Sequence, residues 1–100
     1  MTFSQTDSTA LRGKLAPPKR CGVFLINDDY TPMDFVVDVL SGIFLLPHNQ
    51  AVAVMLTIHH QGKALCGTYS RDIAETKQQQ VLQLAAEAGY PLLCTIEELS

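Results

Sequence analysis

The 100-residue chain reads as α+β: a small single-domain sandwich in β-α-α-β-α-β order, its three-stranded sheet antiparallel or mixed, with helices packed on one face. Three observations carry that reading. Three short apolar runs have strand length, and the longer segments between them repeat their apolar residues at helical spacing. Pro, Gly, Ser or Thr stands at most of the changeovers, where chains turn or helices are capped.

The elements follow in order. Residues 1–18 are polar, contain Gly13, Pro17 and Pro18, and hold no sustained period. They predict a flexible N-terminal extension, with the core domain spanning 19–100. "GVFLIN" (22–27) is the first strand. "TPMD" then starts a helix, with Thr31 as N-cap, Pro32 at the first position and Asp34 two residues on. That helix is expected to run to about Leu45, with Pro47 blocking its continuation. A second helix is expected over 49–60, placing Ala51, Met55 and His59 on one stripe. Gly62 ends it, and "KALCGTYS" (63–70) is the second strand. Ser70 is the expected cap of a third helix, in which Ala74, Lys77, Val81, Leu84, Ala85 and Ala88 recur at helical spacing. Gly89 stops that helix, and "PLLCTIEE" (91–98) is the last strand.

Composition narrows the function classes. Apolar residues make up 47% of the chain, an ordinary globular share. No stretch approaches the roughly 18 apolar residues of a membrane span, and no apolar run follows a basic start as in a signal peptide. A cytoplasmic protein without a membrane partner is expected. Residues 1–20 carry four bases against one acid, whereas the rest carry nine acids against three bases. So acidic a body would repel phosphates, and no nucleic-acid partner is expected. Cys21, Cys66 and Cys94 are widely spaced with no C-x-x-C, and read as buried apolar residues in a reducing compartment.

The polar junction "NDDYT" is the sharpest local feature. A turn uses one Asn or Asp; three in a row, Asn27, Asp28 and Asp29, followed by a Thr able to cap, exceed that need. His59 and Met55, one helical turn apart, project side by side, and His60 follows at the helix end. Should the polar corner pack over that stripe, hydrogen-bond acceptors would face an apolar wall, a site suited to a cation carried on an apolar body. The residue set suits a metal poorly, because the aspartates and histidines lack a third nitrogen or sulfur ligand at usable spacing. No nucleophile elbow and no phosphate loop is present, so neither an enzymatic activity nor a cofactor is expected.

"NDDYTPMDFVVDVL", "MLTIHHQGKALCGTYSRDIAETK" and "AGYPLLCTIEE", in that order, closely resemble the ClpS family, adaptors of the Clp ATPase–protease. The likeness spans roughly residues 19–98. It implies that the ligand is the first residue of a protein with a destabilising N-terminus: Phe, Tyr, Trp or Leu. Asn27 and His59 match residues that hydrogen-bond the α-ammonium, and Asp28 one that reaches it partly through water. Leu25, Asp29, Thr31, Pro32, Met33, Met55, Ile58 and Leu92 match the side-chain pocket. Asp72 and Lys77 match contacts to the N-terminal domain of a ClpA-type or ClpC-type unfoldase. The resemblance implies a monomer that delivers its cargo for degradation. Two other classes stand beside it: a structural or assembly module on the same sandwich, and a metal-dependent hydrolase built on Asp28, Asp29, His59 and His60.

Overall fold

The structure is a computed structural model that describes residues 18–99. All but the last residue of the expected N-terminal extension lies outside them. Strand β1 (Arg20–Ile26) occupies the centre of an antiparallel sheet, between β2 (Lys63–Tyr69) and β3 (Leu93–Leu99). Helices α1 (Met33–Gly42), α2 (His48–Gln61) and α3 (Arg71–Ala88) complete the β-α-α-β-α-β order. Successive strand side chains point to opposite faces, and Cys21, Val23 and Leu25 of β1 are fully covered on the helical side. Val39 and Leu40 of α1, Ala51 and Ile58 of α2, and Ala74, Val81 and Ala85 of α3 complete that layer.

The sheet carries one irregularity. Val23 pairs with Gly67 but Phe24 with Leu65, which leaves Cys66 as the extra residue of a bulge. Its thiol turns into the core. Burial pushes Cys66 up to about 12 and Cys94 up to about 11, so both remain neutral thiols. Cys21 is equally buried and likewise free, as expected of small apolar residues.

Several ends differ from expectation, each for a local reason. β1 starts two residues early, because Arg20 and Cys21 still find partners in β3. α1 begins at Met33, with Pro32 at the cap position in extended backbone and its carbonyl accepting the Val36 N–H at 3.2 Å. Thr31 does not cap this helix; its hydroxyl is given to Asp28. α1 also stops three residues short of Leu45, which sits at φ 59 in the left-handed region. Ser70 holds the cap position of α3 but its side chain makes no capping bond. On α3 the expected stripe splits, with Ala74, Val81 and Ala85 buried but Leu84 and Ala88 exposed. β3 begins only at Leu93.

Two contacts fix the ends that matter for the site. Asn27 donates its N–H to the Gly62 carbonyl at 2.8 Å, tying the exit of β1 to the end of α2. Gly62, at φ 92, adopts the left-handed turn that glycine allows without strain. At the far end of α1, the Lys77 ammonium donates to the Ile43 carbonyl at 2.7 Å. α1 has no basic residue in its own last turn, so α3 supplies the cation that its dipole favours. Lys77→Met keeps the stem and removes that bond. It is expected to cost about 1–2 kcal/mol and to lower Tm by roughly 5–10 °C in a thermal melt.

Candidate functional site

The β1–α1 turn is built by one carboxylate. Asp28 Oδ1 accepts the backbone N–H groups of Tyr30 and Thr31, both at 2.8 Å, and Oδ2 accepts the Thr31 hydroxyl at 2.7 Å. Burial raises its affinity for a proton, but these three donors outweigh that and hold the carboxyl below the usual range. Asp28 is therefore a fixed anion, and it alone makes the turn. Asn27 and Asp29, on either side, are exposed and their side chains bond to none of the described residues.

This corner does pack over the α2 stripe. Asn27, Asp28 and Asp29 line a concavity of about 190 Å³ together with His59, which stands in the last turn of α2. Its apolar walls are Met33 and Val36 from α1, and Met55 and Ile58 from α2. The Thr31 side chain lines it too, its hydroxyl turned to Asp28. A smaller void shares Val36, Ile58 and the polar corner, and reaches Ile26 and Leu92. His60 stands beside His59, ring centroids 5.2 Å apart and planes inclined by 68°, but lines neither space.

Of the expected pocket residues, Asp29, Thr31, Met33, Met55 and Ile58 line the concavity and Leu92 only the smaller void. Leu25 lies beneath the sheet surface with 0% exposure, and Pro32 borders neither space. Val36 was missed by sequence reasoning. Its position three residues after Met33 puts both on one helix face, which is the signal that could have found it. Asp72 and Lys77 sit on α3, away from the concavity.

Chemically, the polar lining offers an amide oxygen, a fixed carboxylate, an exposed carboxylate and an imidazole, with no Lys or Arg among the lining residues. Among the described residues no three His, Cys, Asp or Glu side chains are grouped so as to hold a metal ion. No described helix is long and apolar enough to cross a membrane.

Residues 16–95 match the family model described as ATP-dependent Clp protease adaptor protein ClpS. The chain belongs to the ClpS family. A ClpS adapter of Neisseria gonorrhoeae is 61% identical over 95 residues, covering 95% of this chain and 91% of that protein. The ClpS of Salmonella arizonae is 47% identical over 98 residues, covering 98% and 92%. Among solved structures, Agrobacterium tumefaciens ClpS2 bound to L-phenylalaninamide superposes with a TM-score of 0.81 at 43% identity, covering 83% of this chain and all of that one. ClpS proteins are adaptors and not enzymes, which removes the hydrolase alternative.

Proposed function

We propose that the concavity receives the first residue of a polypeptide, with Asn27, Asp28 and His59 around its α-ammonium and the apolar walls around its side chain. The supporting observation is the make-up of the lining: hydrogen-bond acceptors without a cation, together with the apolar Met33, Val36, Met55 and Ile58. An α-amino group titrates at about 7.7–8.0, so it is mostly charged near neutrality. A fixed carboxylate beside it favours that form. Because Asp28 spends both oxygens on the turn, it serves the ammonium chiefly through its charge and by way of water, while Asn27 and His59 bond directly. A relative seen with L-phenylalaninamide is consistent with this ligand class.

The apolar part sets which residues enter. An aromatic side chain buries roughly 150–250 Å², worth on the order of 4–6 kcal/mol before the costs of association are subtracted. Micromolar or somewhat tighter binding of N-terminal Phe, Tyr, Trp and Leu is expected. Calorimetric titration with peptides that differ only in the first residue tests this, and comparable heats with Ala first would overturn it.

Met33, 46% exposed and part of the lining, is proposed to crowd the β-carbon of the ligand. Ile and Val, branched at that carbon, should be rejected. Met33→Ala should admit Ile-first peptides with at least a tenfold gain in affinity, on the order of 1.4 kcal/mol of relieved clash. His59→Gln retains a hydrogen-bond acceptor and should keep more affinity for a Phe-first peptide than His59→Ala. Equal losses in the two variants would assign the bond elsewhere.

Delivery uses α3. The exposed Asp72 carboxylate and the neighbouring Lys77 are proposed to meet the N-terminal domain of a ClpA-type or ClpC-type unfoldase in the cytoplasm, with the adaptor acting as a monomer.

A further inference from the structure

The sheet has a second face, turned away from the helices, and one side chain crosses it. Phe24 alternates with the core residues Val23 and Leu25, so its ring lies on that open face. Leu65 stands opposite Phe24 on β2, and Gly22 precedes Phe24 by two residues on the same face. A Cβ at Gly22 would stand 2.8 Å from Leu65 Cδ1 and 3.0 Å from the Phe24 ring, so these side chains have closed over the glycine. Over this apolar floor runs Lys63, the first residue of β2. Its ammonium lies 4.8 Å from the Phe24 ring centroid and donates to Glu97 Oε2 on β3 at 2.6 Å. Lys63 and Glu97 belong to the two edge strands, with β1 between them. The pair is therefore a strap across the width of the sheet.

The strap starts at a joint on which the binding corner depends. Lys63 follows Gly62, whose carbonyl accepts the Asn27 N–H at 2.8 Å and whose own N–H is given to the Ile58 carbonyl at 2.9 Å. Glycine is conformationally permissive, so Gly62 does not hold its left-handed turn by itself. The bond to Ile58 of α2 fixes one side. On the other side stands the first residue of an edge strand, a position that frays readily. Lys63 pairs there with Ile26, the residue before Asn27. Two placements at the concavity follow from this joint. The Asn27 side chain bonds to none of the described residues, so its backbone alone places it. His59 stands in the turn of α2 that Gly62 ends.

We propose that Lys63 and Glu97 are positioning residues for the recognition of an N-terminal residue. Tied over Phe24, Lys63 holds its rung against Ile26, and that rung keeps the Gly62 carbonyl at the Asn27 N–H. Asn27 and His59 then keep the separation that an α-ammonium between them requires. The inference rests on the proposed placement of that ammonium. Neither Lys63 nor Glu97 lines the concavity, so the strap acts on the amine of the ligand and not on the seat of its side chain. An exposed ion pair with its cation over an aromatic ring is a modest contact, which sets the expected effects at a few-fold.

The test compares Lys63→Met, which keeps the stem and removes the charge, with Lys63→Arg, which keeps the cation and the pair. Amide hydrogen exchange of the full chain without peptide reads the joint directly. At Asn27 it should run about threefold faster in Lys63→Met than in the parent, and return to the parent rate in Lys63→Arg. Val81→Ala, which removes buried volume from α3 on the other side of the sheet, lowers the stability of the whole domain and should leave the Asn27 rate unchanged. Equal acceleration in Lys63→Met and Val81→Ala, or none in Lys63→Met, would overturn the proposal. A second measurement reads recognition. The ratio of affinities for a free and an N-acetylated Phe-first peptide should fall about threefold in Lys63→Met and hold in Lys63→Arg, with the acetylated peptide bound as by the parent. An unchanged ratio would confine the strap to the fold and overturn its role in recognition. If the parent binds the two peptides alike, the ammonium site falls and the recognition role with it, whereas the Asn27 exchange rates still decide whether the strap holds the joint.

Discussion

Replacing Asp28 with alanine is expected to cost stability and binding together. The carboxylate accepts from Tyr30 N, Thr31 N and the Thr31 hydroxyl, and nothing else described holds that turn. Loss of a side-chain cap of this kind costs about 2 kcal/mol. With the turn released, Asn27 and Thr31 lose their places at the concavity, and affinity for a Phe-first peptide should fall by at least about tenfold, on the order of 1.4 kcal/mol. Asp28→Asn separates the two roles. Its amide oxygen can still accept the two N–H groups, so most of the stability should return, while the lost charge leaves affinity reduced. Equal affinity for the Asn variant and the parent would show that the charge is irrelevant to the ligand. Stability should also depend on pH. The Asp28 carboxyl is lowered in the folded state, so its contribution is present above the unfolded carboxylate value and is lost as pH falls through the folded one. Urea melts between neutrality and strong acid should show that loss in the parent and a smaller one in Asp28→Asn.

Leu25→Ala should give the largest loss of stability with the smallest effect on recognition. Leu25 is fully buried between Ala64 and Cys94 on the neighbouring strands, facing the helices. Truncating a leucine at such a position costs about 3 kcal/mol, a large share of the 5–15 kcal/mol that holds a domain together. For a chain of this size that lowers Tm by roughly 12–20 °C. Because Leu25 borders neither the concavity nor the void behind it, peptide affinity measured well below the new Tm should change less than threefold. Val36→Ala is the counterpart. Val36 faces both core and concavity, so stability and affinity should fall together. A Leu25 variant that folds but no longer binds would return that residue to the pocket.

Element types were legible because each apolar period is long and each junction carries turn chemistry. The boundaries were not, because distant groups decide them. Thr31 looks like a cap for α1, yet Asp28 three residues earlier takes its hydroxyl and leaves Pro32 at the cap position. α1 looks longer than it is, because nothing local announces that Leu45 turns left-handed or that Lys77, 34 residues on, holds the Ile43 carbonyl. Leu25 was placed in the pocket by family likeness. "GVFLI" is apolar on both faces, so alternation does not reveal that Leu25 faces the core while Ile26 reaches the void. The polar corner could be read as exceeding the needs of a turn, and it does: one residue of the three makes the turn. That it meets the His59 stripe depends on the Asn27–Gly62 backbone bond, which no local pattern encodes.

The division of labour in the concavity is tested most directly by fluorescence anisotropy of a labelled peptide that begins with free Phe, run beside its N-acetylated twin. Acetylation leaves the aromatic ring intact but removes the charge and two of the three N–H donors that Asn27, Asp28 and His59 are proposed to receive. Loss of two charge-assisted bonds, about 3 kcal/mol, corresponds to roughly a hundredfold weaker binding. Saturable binding of the free peptide with that loss on acetylation is the predicted result. Equal affinity for the two peptides would contradict it and would reduce the concavity to a generic apolar groove.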